Sequence, residues 1–77
     1  MWEILGYEQN VKDDGSVSYT IYAAKDMKPA DGCSGRKARN FWYKADKVDY
    51  VPQVGQEVFI ETELRGKYEV VTDIWVP

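Results

Sequence analysis

The chain has 77 residues, a net charge of −3, one cysteine and no histidine. A chain that short closes around one hydrophobic core and leaves no room for a cleft between two lobes, so residues 1–77 are expected to form one domain. One cysteine excludes an internal disulfide, and the lack of histidine removes the commonest general base and the commonest metal ligand.

Five strand-like runs follow along the chain. The first, "WEILGYEQ", places Trp2 and Ile4 on one parity and Leu5 and Tyr7 on the other, and Gly6 within it predicts a bulge or bend. "KDDG" then predicts a tight hairpin, with Asp14-Gly15 supplying the positive-φ positions. In "SVSYTIYAA", Val17, Tyr19, Ile21 and Ala23 share one face while Ser18, Thr20 and Tyr22 share the other, as in a strand with one side on a core. From Lys25 to Gly35 the text is that of a loop, with Pro29, Gly32 and Gly35 breaking any period. A loop of that length is either a functional segment or a plain connection.

The third run is "RKARNFWYK", Arg36 to Lys44. After it, "ADKVDYVPQVGQ" predicts a single helical turn beginning near Asp46 and a bend at Pro52 and Gly55. "EVFIETEL" alternates, Val58, Ile60, Thr62 and Leu64 against Glu57, Phe59, Glu61 and Glu63. Its hairpin partner "KYEVVTDIWV" is joined through Arg65-Gly66 and puts Tyr68, Val70, Thr72, Ile74 and Val76 in one register. Five short strands with almost no helical periodicity predict an all-β fold, a small five-stranded barrel, closed or nearly closed, that is either OB-fold-like or SH3-like.

The charge is unevenly spread. Between Lys25 and Lys47 lie seven cations and three anions, and the remainder holds three cations and ten anions. Such segregation makes a basic patch on an acidic body, or else a lysine-rich loop beside a solvated strand. In an extended "RKARNFWYK", Lys37, Arg39, Phe41 and Tyr43 line one side, and Ala38, Asn40, Trp42 and Lys44 the other. Cations beside flat rings suit single-stranded nucleic acid, phosphates meeting the cations and unpaired bases stacking on the rings, with Trp42 then anchoring the core. The competing expectation is that Phe41 and Tyr43 pack inside while Trp42 and Lys44 face out.

Enzymatic chemistry is not expected. Cys33 has no imidazole to activate it, one thiol cannot hold zinc, and the loop "DGCSG" lacks the Gly-Lys-Ser/Thr ending of a phosphate-cradling loop. No cofactor and no small-molecule substrate are implied. The opening "MWEILGYEQN" carries Glu3 and no basic region ahead of an apolar run, and no segment approaches the ~18 apolar residues of a membrane span. The expected compartment is therefore the cytoplasm, away from any membrane.

Taken with "ILGYEQ", "GSVSYTIYAA", the aromatic third strand and the ending "YVPQVGQEVFIETELRGKYEVV", the chain resembles small proteins of phages and mobile elements of Gram-positive bacteria. Those in turn are similar to the gene V type of single-stranded DNA-binding protein from filamentous phages, an OB barrel that dimerises. The resemblance implies a homodimer that binds single-stranded DNA or RNA. Its implied contacts are Tyr19 or Tyr22, then Arg39, Phe41 and Tyr43, with Lys25 and Lys28 in the loop and Arg65 and Lys67 at the final turn; Lys37 joins them from the strand parity. The net negative charge departs from the basic character expected of proteins that coat DNA. A protein-interaction barrel, with Glu57, Glu61 and Glu63 as its charged complement, is the rival reading, and an acidic body that mimics DNA is a third.

Overall fold

The computed structural model describes residues 1–27, 32 and 35–77. Five strands, β1 (Trp2–Val11), β2 (Val17–Asp26), β3 (Arg36–Lys44), β4 (Glu57–Arg65) and β5 (Tyr68–Trp75), form one antiparallel sheet in the order β3-β2-β1-β4-β5. The all-β class follows from the alternation, but the barrel is not closed. β3 and β5 are the two edges of the sheet. A ladder needs backbones ~4.8 Å apart; here the edges are bridged by two long side chains, Arg39 Nη2 meeting Glu69 Oε1 at 3.0 Å. The two parts of the sheet, β1–β2–β3 and β4–β5, meet over a short seam. There Trp2 and Glu3 pair with Val58 and Glu57, and the Ile4 N–H donates to the Gln56 carbonyl at 2.9 Å.

Local features explain several departures from strict alternation. The register of β1 on β2 shifts between Ile4 and Gly6, which turns Leu5 outward and brings Tyr7 edge-on to Tyr19 at 6.3 Å. In the first hairpin only Gly15 has positive φ, at 86°. Asp14 keeps an ordinary backbone because its carboxylate accepts the Ser16 N–H at 2.9 Å, so a side chain closes the turn. Lys25 and Asp26, expected in the loop, extend β2 and pair with Lys37 and Arg36. Lys28, Pro29 and Cys33 lie outside the described residues. The turn expected near Asp46 begins earlier, with the Lys47 and Val48 N–H groups both donating to the Lys44 carbonyl.

The single register expected for β5 is broken as well. Its pairing with β4 shifts between Glu61 and Thr62, so Val71 and Ile74, three residues apart, both face the core. The Thr72 hydroxyl lies 3.2 Å from the Glu61 carbonyl oxygen, to which it donates across the irregularity. The remaining turn behaves as its residues require: Gly66, at φ 64°, opens the two-residue connection between Arg65 and Tyr68.

The core gathers Trp2 and Ile4 from β1, Tyr19, Ile21 and Ala23 from β2, Phe41 and Tyr43 from β3, Val58 from β4, and Val71 and Ile74 from β5, with Val48 beneath. Trp2 meets Phe41 edge-on at 5.0 Å, and Tyr19 lies 5.5 Å from Tyr43. Aromatic contacts of this kind add to what burial alone contributes. The Tyr43 hydroxyl donates to the Tyr50 carbonyl at 2.7 Å, and the Tyr50 hydroxyl donates to Gln56 Oε1 at 2.6 Å. This relay pins the connection between β3 and β4 to the core.

Burial holds the Tyr43 phenol well above the usual tyrosine range, so the folded state resists its ionisation. An acid whose pKa is raised by folding stabilises the protein fully below its unfolded pKa of about 10, and that contribution is lost as pH rises above it. Tyr43→Phe is therefore expected to cost about 1 kcal/mol near neutrality, for the lost hydrogen bond, yet to flatten the fall in stability above about pH 10. Urea midpoints of the two proteins near pH 8 and near pH 10.5 measure this. Parallel losses in both would place the alkaline sensitivity elsewhere.

Candidate functional site

The parity of β3 is as the alternation requires, but its sense is the reverse of the one that would make a ligand face from Phe41 and Tyr43. Phe41 is 5% exposed and Tyr43 2%, paired across the ladder with Ile21 and Tyr19. Trp42, expected as the core anchor, is 51% exposed. The physical reason is one of area. Turning this face inward buries two rings against an apolar strand, whereas the other sense buries one, and a chain this short needs both.

Three of the expected contacts are thereby corrected: Tyr19, Phe41 and Tyr43 pack in the core, Phe41 and Tyr43 reaching the surface only as the buried side of a groove between β3 and β5. Tyr22 is exposed on the outer side of β2, where its hydroxyl donates to Glu8 at 3.1 Å. That carboxylate raises the Tyr22 pKa and keeps the ring beside a negative charge. Lys25 is half-buried, with Nζ 4.7 Å above the Trp2 ring. It lies with Lys37 beside Asp26 and Glu57 in a small cleft at one end of the sheet. Arg36 is shared between Glu3 at 2.9 Å and Asp26 at 3.2 Å. Arg65 and Lys67 are both exposed around the β4–β5 turn. The basic segment is thus divided between two places, and neither is the face its parity predicted.

The larger of the two places is a groove of about 740 Å³ along the opening between β3 and β5. Arg39, Lys44, Lys47 and Arg65 line it, against one carboxylate, Glu69. Trp42 on one wall and Tyr68, 77% exposed, on the other present flat rings, while Phe41 and Tyr43 belong to the buried side. Arg39 is held from two directions, its guanidinium 4.8 Å from the Phe41 ring centre and paired to Glu69. The Arg39 guanidinium, and next the Thr62 hydroxyl, keep the Glu69 carboxyl below the usual carboxylate range. Because both strand edges here lack a neighbour, their backbone N–H and C=O groups also border the groove.

Lys44, Lys47, Trp42 and Tyr68 were not singled out as contacts by their sequence context. Lys44 sits within the basic run and Lys47 follows it through the turn that closes on the Lys44 carbonyl, but Tyr68 reaches the groove only because β5 lies across from β3, a long-range proximity that no local pattern encodes. Among the described residues, no helix is long and apolar enough to cross a membrane. Comparison with protein-family models, with curated proteins and with solved structures found no match.

Proposed function

We propose that the chain is a non-enzymatic single-stranded nucleic-acid-binding protein of a phage or mobile element, acting in the cytoplasm, and that its ligand lies in the groove between β3 and β5. One observation carries this reading. A chain of net charge −3 collects four cations against one carboxylate in a single groove, together with the exposed rings of Trp42 and Tyr68. Cations set along a groove track a phosphate backbone, and flat rings stack on bases that have no pairing partner. A partly open five-stranded antiparallel sheet also suits this use, since OB folds bind oligonucleotides on such a frame. A homodimer, as the resemblance implies, would place two such grooves in one particle.

Titration with a thymidine oligonucleotide, followed by tryptophan emission at two salt concentrations, tests the proposal. Quenching at low salt that weakens as salt rises is the expected result, because binding releases counterions from the strand. Emission unaltered at low salt up to high micromolar strand would remove it.

Glu69 supplies a sharper prediction. Its carboxylate occupies Arg39, so an incoming phosphate must displace it. Glu69→Gln is expected to tighten binding and to steepen the dependence of log affinity on log salt by about 0.7, one further phosphate contact on a single strand. An unchanged slope in the variant would mean that Arg39 does not meet the ligand.

A second reading has one observation in its favour. Two unpaired strand edges flank the same groove, and an extended peptide adding to such an edge would make it a protein-binding site. Protection of β3 or β5 edge amides from exchange by a peptide, with no response to oligonucleotide, would favour that reading.

A further inference from the structure

On the outer face of β4 and β5, away from the groove, Phe59 and Trp75 stand directly opposite each other in the ladder, their rings stacked 5.5 Å apart at 24°. Both are well exposed, at 39% and 42%. The next pair on the same face of the ladder is Glu61 opposite Asp73. None of these four residues lines the groove. Two carboxylates directly across a sheet repel, and the arrangement is unfavourable for the isolated strands. Neither carboxylate has a cationic partner among the described residues. Glu61 Oε1 instead shares the Thr72 hydroxyl, at 3.2 Å, with the Glu61 carbonyl oxygen, and Asp73 accepts from the Ile74 N–H at 2.9 Å. They are held in place by neutral donors, beside an exposed stacked aromatic pair.

We infer that this face docks an arginine-rich segment of a partner protein, the guanidinium groups lying on the Phe59–Trp75 rings while they bridge Glu61 and Asp73. Charge complementarity selects the partner. Phosphates are repelled by the two carboxylates, so nucleic acid does not compete here, whereas a cation relieves their mutual repulsion. Geometry selects arginine over lysine. Same-face neighbours on a strand lie ~6.6 Å apart, and a planar guanidinium spans rings and carboxylates by stacking on one and donating from its edge to the other. A lysine ammonium supplies only the charge. The face is separate from the groove, so this inference stands whether or not the groove binds nucleic acid.

The test uses the full chain, labelled for amide and indole NMR, titrated with a peptide of Arg-Gly-Ser repeats and with the same peptide carrying lysine for arginine. Shifts are expected at the Trp75 indole and at the Phe59, Glu61 and Asp73 amides, with the arginine peptide bound about fivefold tighter or more, the worth of a modest cation–π contact. Trp75→Ala is expected to erase that preference. Should Trp75→Ala lose its fold, E61Q/D73N carries the test, since removing both carboxylates should weaken the arginine peptide about tenfold or more. Equal affinity for the two peptides, shifts that avoid these residues, or a double variant that binds as well as the parent would each overturn the inference.

Discussion

Truncating Phe41 to alanine is expected to lower the free energy of unfolding by about 3–5 kcal/mol, most of what so short a domain holds. The side chain is 5% exposed, edge-on to Trp2 at 5.0 Å and paired with Ile21, so its loss removes buried area and leaves a cavity between β1, β2 and β3. Its neighbour provides the control. Trp42 is half exposed, and Trp42→Ala should change stability by about 1 kcal/mol or less. Urea denaturation of the two variants therefore reads the sense of β3 directly, and similar losses in both would mean that the strand does not present Phe41 inward.

The same pair reverses its order when binding is measured. If Trp42 is the base platform of the groove, Trp42→Ala should weaken oligonucleotide binding by about 5- to 150-fold, the worth of one stacked base, while leaving the salt dependence almost unaltered. Stacking does not release counterions; contacts between cations and phosphates do. Lys44→Ala provides the contrast, a weaker effect on affinity together with a shallower salt dependence. Binding by Trp42→Ala at parental strength would take the ring out of the site and leave the groove a purely electrostatic surface.

Much of the fold was legible because strand alternation is a local property. All five strands were placed by their parity and by Gly15, Gly55 and Gly66, each of which has positive φ. The bulge at Gly6 was announced by the glycine itself, whereas the irregularity between Glu61 and Thr62 had no such marker and brings Val71, of the opposite parity, onto the same core face as Ile74. Which face of β3 turns inward was not legible in "RKARNFWYK", since either sense places at least one ring in the core. The choice is made by Ile21 and Tyr19 across the ladder and by Trp2 beneath, all outside the stretch. The groove was beyond local reading for a related reason. It exists because β3 and β5, separated in the chain by the 23 residues 45–67 and joined through β2, β1 and β4 in the sheet, approach one another without pairing.

The separation of charge also has a structural consequence. Arg39 and Lys44 lie on the edge strand β3, with Lys47 in the turn just beyond it and Arg65 at the end of β4, a placement of cations that disfavours edge-to-edge pairing with a like molecule, while Glu61 and Asp73 share the outer face of β4 and β5. A small net negative charge therefore coexists with a locally basic groove, because a charged ligand responds to the potential of the surface that it meets.

The central claim, that a single strand of nucleic acid runs along the opening between the two sheet edges, is tested most directly by amide and indole NMR of the chain with a short thymidine oligonucleotide at low salt. Shifts are predicted at the Trp42 indole and at the amides of Arg39 to Lys44 and Tyr68 to Val71, with Phe59 and Trp75 unmoved. Shifts centred on Phe59 and Trp75, or a spectrum that does not respond to the strand, would contradict it.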